Sequence, residues 1–397
     1  MLSIKFEIPN MNASLSEFAI IGNGSFKDKA CKLINDIYGL KPSIIYRDAQ
    51  SFINDVKQNG YFGPSVIVLG SSMRYEMANA IYKELKNNID LSFWDLSPYL
   101  DIDGNNVWGC YSLTSDLNKY QIVIVDSYYP GHGEYWLLSL IDILKSKGFS
   151  VAIIHPWQEY KFYLLENALS IVLWNGSAPF LFERVKGFLD RIGKRYLYAE
   201  CGFFPQKDNF YLDRMGINAK REIARDDLSW ISQHHYDKVN LVKSLFFSGI
   251  NAFEFKSDYV FCPLQLSDDT NIVLNSRFSH GMQEFIYYIN DYYASSALKV
   301  IFKPHPKDSC SYNYGNGIVS YKDSRELILG SARVHGINST VLFEAVLAGK
   351  ECYIEGDCLL KHYTSSPEKV LAAIISLQSS KNNINPDYIH WLTTGDF

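Results

Sequence analysis

Lys303 and His305 stand one proline apart in the run LKVIFKPHP, residues 298–306. An ammonium and an imidazole that close together suit an anion such as a phosphate, the Lys through its charge and the His through a proton exchanged near neutral pH. The same residues also fit a Pro-stiffened turn with an exposed Lys and a hydrogen-bonded His. A second polar group, Asn338-Ser339-Thr340 of ARVHGINST, falls where a strand ends in a short polar turn and gives way to the helix-like VLFEAVLA. Free N–H groups and the positive end of a helix bind phosphate at such a place without any special side chain. Capping of the helix by Asn338 or Ser339 is the plainer reading, and both can hold at once. In YVFCPLQLSDDT, residues 259–270, Gln265, Asp268 and Asp269 follow an apolar run and a proline. There they can contact a ribose or a base edge, or cap the next turn. The paired Asp also invite a metal ion, but no further ligand stands at a convincing spacing, so no metal is expected. The last group is Glu200, in ECGFFP, with Asp213, in YLDRMGIN. Two carboxylates near a cleft fit the nucleophile and acid–base roles of glycosyl transfer. As structural groups each would be a helix cap or an ion-pair member, with Arg214 the partner of Asp213.

Each group follows a short apolar run, and those runs must position it. Residues 298–302 read as a buried strand stopped by prolines, which lack N–H donors. In open α/β sheets ligands bind just past the carboxyl ends of strands. Strands at 18–21, 65–69, 121–125, 151–154, 171–174 and 196–199 alternate with amphipathic helices, which predicts a parallel sheet covered on both faces. After the first strand, Gly22-Asn23-Gly24 lacks the third Gly of a dinucleotide fingerprint, since Lys27 stands in its place, so a tight turn into a packed helix is preferred. Residues 203–255 read as a linking segment, with helical spacing at 226–247 and no further sheet. A second series follows: strands at 259–263, 298–302, 317–321, 332–335 and 351–354, and helices at 280–294, 323–330, 340–348 and 367–377. Asp323 and Glu326 can form a capping box on the second of these helices. The expected fold class is α/β, two Rossmann-like domains facing a cleft in a GT-B-like glycosyltransferase architecture. The expected domains are 1–202, a linking helical segment at 203–255, and 256–397.

Taken in order, ECGF, LDRMGIN, CPLQLSDDTNI, KPHP and VHGINSTVLFEAVLAGK resemble the retaining β-Kdo transferases of bacterial capsule and O-antigen synthesis. That family carries E-D-G-F, L-D-x-x-G-I, P-x-Q-x-x-D-D, K-P-H-P and V-H-x-x-x-S-x-x-G-F-E-A in the same order. The resemblance spans residues 200–350. It departs at Cys201, where the motif has Asp, and at Pro205-Gln206, where it has Arg-Ser; both fall on the acceptor side. The resemblance implies a CMP-Kdo donor, no separate cofactor, and transfer of Kdo to a saccharide acceptor with retention, through a covalent sugar–enzyme adduct. It implies that 1–202 is the acceptor side and 256–397 the CMP-sugar-binding domain. Asp213 is then the nucleophile, with Asp226 or Asp227 as fallback, Glu200 the acid–base group and His305 a catalytic contact to the leaving phosphate. Gln265, Asp268, Lys303, His305, Ser339 and Thr340 hold the nucleotide, and Arg214 or Arg277 pairs with the Kdo carboxylate. Tyr128, Tyr129 and His132 are candidate acceptor contacts. A sialyltransferase-like use of another CMP-sugar, a sugar-nucleotide epimerase and a non-catalytic binding module remain as alternatives. Association with further glycosyltransferase domains and with the inner membrane surface are the partners to look for.

Composition sets the outer bounds. At 397 residues the chain exceeds what one core usually supports, so two domains are the natural expectation. A net charge of −5 argues against a nucleic-acid binder. No apolar run approaches the ~20 residues that cross a bilayer, and the first residues lack the apolar core of a signal peptide. The seven Cys are odd in number, scattered and without a CxxC pair, so neither a disulfide framework nor a zinc knuckle is indicated. A soluble cytoplasmic protein is expected, with peripheral association at the inner face of the inner membrane as a further possibility.

Overall fold

The computed structural model describes residues 4–7, 9–71, 74–85, 90–96, 110–111, 121–126, 137–157, 162–250, 258–267, 269–278, 281–380 and 382–397. The chain forms two compact units, Met1–Tyr196 with His390–Phe397, and Leu197–Ile389. Both are α/β with parallel sheets.

In the first unit β1 (Ile4–Glu7), β2 (Ala19–Ile21), β3 (Ile44–Tyr46), β4 (Val66–Leu69) and β5 (Leu91–Trp94) make an all-parallel sheet in the order β1-β5-β4-β2-β3. A second set follows: β6 (Cys110–Tyr111), β7 (Ile122–Val125), β8 (Val151–Ile154) and β9 (Ser170–Trp174). It runs β9-β7-β8-β6, with β6 antiparallel to β8. One sheet was expected here and two are found. The expected strands at 18–21 and 65–69 fall in the first, and those at 121–125, 151–154 and 171–174 in the second. Strands of three or four residues such as β3 and β5 are too short to show a period in the sequence. Gly22 explains the tight turn after β2. It has φ 144, and a Cβ there would lie 2.1 Å from the carbonyl oxygen of Gly70, so two backbones approach where no side chain fits.

The second unit holds β10 (Leu197–Cys201), β11 (Asn209–Asp213), β12 (Tyr259–Pro263), β13 (Lys299–Lys303), β14 (Ile318–Val319), β15 (Arg333–Gly336), β16 (Glu351–Ile354) and β17 (Ser379–Ser380). β17, β11 and β10 pair antiparallel. The expectation that 203–255 adds no sheet is therefore corrected: Asn-Phe-Tyr-Leu-Asp of β11 is buried at all five positions and completes a hairpin with β10. The helical spacing in this region resolves into a helix at Gln233–Phe246.

The remaining strands form a parallel sheet in the order β14-β13-β12-β15-β16. Central β12 is buried throughout, and Phe261 and Phe302 are fully enclosed, each burial stabilising the sheet by about 1.5–3 kcal/mol. Read in chain order the sequence of strands is 3-2-1-4-5, the doubly wound order of Rossmann-type sheets, so the direction of winding reverses between β12 and β15. Helix Met282–Tyr292 covers one face with Met282, Phe285, Ile286 and Ile289, the i, i+3, i+4, i+7 stripe of a packed helix. Ser267, from the SDD stretch, accepts the N–H of Met282 at 3.0 Å and so fixes the start of that helix. Asp323 caps helix Ser324–Gly330 through the N–H of Arg325 rather than through the box expected with Glu326.

Candidate functional site

The carboxyl edge of the parallel sheet gathers three of the four polar groups. Gln265 follows β12, Lys303 ends β13 with His305 two residues on, and Asn338, Ser339 and Thr340 follow β15. Because β12 and β15 are neighbours at the point where winding reverses, the loops after them leave in opposite directions and open a crevice. Gln265 and Asn338 meet there: Gln265 Nε2 donates to Asn338 Oδ1 at 3.0 Å, and the N–H of Asn338 donates to Gln265 Oε1 at 3.4 Å. Both are buried, so this mutual pairing supplies the partners that buried carboxamides require.

His305 is half-buried. Its Nδ1 accepts the N–H of Lys307 at 3.2 Å, which places the proton of the neutral ring on Nε2. Burial lowers its pKa, the nearby Lys307 lowers it further, and Asp308 opposes both. The ring is thus neutral at pH 7 and offers an N–H rather than a charge. Lys303 supplies the cation, with one of its protons on the carbonyl of Lys322. Ser339 caps the nine-residue helix Thr340–Ala348, its hydroxyl accepting from the N–H of Val341 at 3.2 Å. Asp269 caps Thr270–Asn275 through the N–H of Asn271 at 2.8 Å. Asp268, Tyr128, Tyr129 and His132 lie outside the described residues.

Glu200 and Asp213 are brought to one hairpin. The register pairs Tyr198 with Asp213 and Glu200 with Tyr211, so all four side chains share a face of the β10–β11 pair. Glu200 is half-buried and its Oε1 accepts the N–H of Cys201 at 2.8 Å. Asp213 is buried. Its Oδ1 accepts from the N–H groups of Met215 at 2.8 Å, Gly216 at 3.2 Å and Glu222 at 3.1 Å, and its Oδ2 from Glu222 at 3.1 Å. The Arg214 expected beside it pairs instead with Glu222. The cation near Asp213 is Arg221, only 1% exposed, with Nε 3.5 Å from Oδ2 and its guanidinium stacked 3.7 Å over Tyr211. Asp213 thereby ties the turn 214–222 into a knot. Asp226 accepts from Leu228 N–H and Trp230 Nε1, and Asp227 from Ser229 N–H. Arg277, the other candidate for the Kdo carboxylate, pairs with Glu355 at 2.7 Å and lies 4.4 Å over Tyr288.

Three residues escaped the sequence reading. His335, in the VHG run, is fully buried, with Nε2 2.9 Å from Glu355 Oε1 and Nδ1 3.1 Å from Tyr293 Oη, inside a ring of tyrosines that includes Tyr292 and Tyr353. Glu344 lies one turn into the helix after Thr340, half-buried, its pKa pushed up to about 7 by burial and by Asp323 against the pull of Arg325. Asn271 links several loops. Its only sequence signal was its place after the paired Asp. Among the described residues no group of three or more His, Cys, Asp and Glu is arranged to hold a metal ion. Nor is any helix among them long and apolar enough to cross a membrane.

The site is the carboxyl edge of a doubly wound α/β sheet that carries Lys303, His305 and the start of helix Thr340–Ala348. Comparison with known proteins bears on this same stretch. Residues 198–358 match the family model described as capsule polysaccharide biosynthesis protein. That span contains the five motifs, and the match accords with the resemblance drawn from them. Protein FixF of Sinorhizobium fredii (strain NBRC 101917 / NGR234) is 27% identical over 209 residues, covering 48% of this chain and 49% of that protein, so the chain matches about half the length of this curated relative. Among solved structures, the KpsC beta Kdo 2,7 transferase of Thermosulfurimonas dismutans aligns at 14% identity and TM-score 0.47, over 69% of this chain and 98% of that one. The UDP-GlcNAc 2-epimerase of Methanocaldococcus jannaschii, solved with UDP-GlcNAc and UDP, aligns at 13% identity and TM-score 0.32, over 68% and 98%. Likenesses this distant assign no activity.

Proposed function

We propose that this chain is a glycosyltransferase of bacterial surface-polysaccharide synthesis that moves Kdo from CMP-Kdo to a saccharide acceptor with retention. One observation carries the reading: Gln265, Lys303, His305 and the start of helix Thr340–Ala348 lie together on the carboxyl edge of a doubly wound, Rossmann-type sheet, inside the span that matches the capsule family. The leaving CMP carries its own phosphate charge, so its departure calls for cations and N–H donors more than for a proton. Lys303, the Nε2–H of His305 and the N–H groups ahead of Thr340 are of that kind. A carboxylate oxygen bonds to the anomeric carbon as the bond to the phosphate oxygen breaks and CMP leaves with the electron pair. The acceptor hydroxyl then gives its proton to Glu200 and displaces the carboxylate, and two inversions leave the configuration retained. Asp213, the nucleophile implied by the motifs, must first release main-chain N–H groups to attack. Asp269, on the loop after β12 and bonded through Oδ1 to the N–H of Asn271, is the competing choice.

The knotted state of Asp213 favours a second reading, a non-catalytic module that binds the sugar nucleotide without turning it over. The two part cleanly in one experiment. Incubation with CMP-Kdo, CMP-sialic acid and a UDP-sugar in parallel, with release of nucleotide followed, should show release from CMP-Kdo alone. Stabilisation by CMP without release from any donor would establish the module instead.

A further inference from the structure

Asn271 is the residue through which three segments of the second unit touch. Its Oδ1 accepts from Asn218 Nδ2 at 2.7 Å, its N–H donates to Asp269 Oδ1 at 2.8 Å, and its carbonyl accepts from Asn338 Nδ2 at 3.0 Å. Asn218 belongs to the turn knotted by Asp213, and its own N–H donates to Tyr211 Oη at 3.0 Å, on the face that carries Glu200. It holds φ 55, a left-handed conformation that Asn tolerates better than most side chains. Asn338 continues the chain of amides to Gln265 at the reversal point. A path of short hydrogen bonds therefore runs from the hairpin face, through Asn218 and Asn271, to both loops of the crevice.

We infer that Asn218 and Asn271 are positioning residues of the proposed transfer site: their amide–amide bond sets the hairpin face of Glu200 against the crevice edge that carries Asp269. This rests on the transferase reading above. Neither residue needs to touch substrate. Transfer with two displacements requires the attacking carboxylate and the acid–base group to be placed to within a fraction of an ångström, and a misplacement of about 1 Å costs on the order of 100-fold in rate. A bond that only stabilised the fold would act on melting temperature and leave the reacting groups of the folded fraction unchanged. A positioning bond acts on kcat while the nucleotide, held mainly by Lys303, His305 and the helix start, binds as before.

The test uses the full chain and CMP-Kdo, with kcat and KM for CMP release, CMP affinity by calorimetry, and melting temperature for Asn218→Ala, Asn271→Ala and the double variant. The expected result is a 10- to 100-fold fall in kcat for each single variant, CMP affinity within twofold of the wild type, and a double variant no slower than the slower single, since the two act through one bond. Asn218→Ser, which keeps a donor in the turn, should recover part of kcat. Unchanged kcat with a lowered melting temperature would make the bond merely structural and overturn the inference, as would additive losses in the double variant. A wild type that releases no CMP from CMP-Kdo would overturn the transferase reading and this inference with it, a result distinguishable because it appears before any substitution is made.

Discussion

Gln265 and Asn338 lie on loops from different strands, 73 residues apart in the chain, and hydrogen-bond to each other where the winding of the sheet reverses. The pair joins β12 to β15 just beyond their carboxyl ends, at the mouth of the crevice. Gln265→Ala would leave a buried Asn338 oxygen without its donor, at a cost of about 1–3 kcal/mol. The melting temperature of the second unit should fall by several degrees, and Gln265→Glu, which sets oxygen against oxygen, should do no better. Thermal unfolding of the two variants checks this. An unchanged midpoint for both would mean that the amides do not hold the crevice.

Asp213 presents the sharpest contrast between sequence and structure. Its carboxylate is engaged by main-chain N–H groups from Met215, Gly216 and Glu222. If it nonetheless attacks the donor, incubation with CMP-Kdo and no acceptor should give protein heavier by one Kdo residue, on the peptide that contains Asp213. Asp213→Asn should then lose transfer by several orders of magnitude while CMP still binds. If it only ties the turn, the variant should unfold earlier yet retain turnover, and the added mass should map to Asp269 or to Asp226–Asp227. Peptide mapping by mass spectrometry decides.

His305 is neutral with its proton on Nε2, so it acts as a donor and not as a charge. His305→Ala should weaken CMP about tenfold, near the 1.4 kcal/mol of one lost hydrogen bond to a charged group. His305→Gln, which can present an N–H from a similar distance, should recover most of that loss. Calorimetric titration with CMP at pH 7.5 measures both, and equal affinities for wild type and His305→Ala would remove His305 from the site.

How much of this was visible beforehand follows from the physics of each element. The central strands of the parallel sheet of the second unit were legible because β12 and the middle of β13 are apolar runs stopped by prolines, and β15 because a polar turn and a helix pattern follow it. The polar groups past their ends follow from strand geometry alone. β11 was hidden because its Asn-Phe-Tyr-Leu-Asp begins and ends on polar residues that are satisfied by hairpin and turn partners invisible in sequence. The partner of Asp213 was misjudged for a related reason. Arg214 is adjacent in sequence, but it lies past the end of β11 and reaches Glu222, and the turn delivers Arg221 instead. The amides of Asn218 and Asn271 are 53 positions apart and no local pattern relates them.

His155, in the first unit, predicts how that unit responds to acid. It is fully buried past the end of β8, with Nδ1 accepting the N–H of Trp157 at 3.1 Å and Nε2 4.0 Å from Asp95. Burial pushes its pKa down to about 3, with Asp95 opposing and Arg74 adding to the fall. A group depressed on folding contributes stability that is present above its unfolded pKa near 6.5 and is lost as pH falls towards 3. The melting temperature should therefore drop as pH is lowered below 6.5, and His155→Gln should flatten that drop. Parallel pH curves for the two proteins would exclude His155 as the cause.

Glu344 should tilt stability the opposite way. Its pKa rises from an ordinary 4.5 to about 7, burial being the largest cause, Asp323 adding and Arg325 opposing. The folded protein holds this proton more tightly than the unfolded chain does. Its contribution is thus complete below pH 4.5 and is lost as pH rises through about 7. A shift of this size in a half-buried side chain amounts to about 1–2 kcal/mol after solvent screening. Glu344→Gln keeps the shape and the hydrogen-bonding oxygen but never ionises. It should match the wild type at pH 4 and exceed its melting temperature by a few degrees at pH 8, the curves separating between those limits. Because Glu344 lies one turn beyond Thr340, a bound CMP that changes the local charge should shift the pH at which they separate. Melting curves from pH 4 to 8, with and without CMP, measure both effects, and curves that stay superimposed across the whole range would show that Glu344 ionises freely in the folded protein.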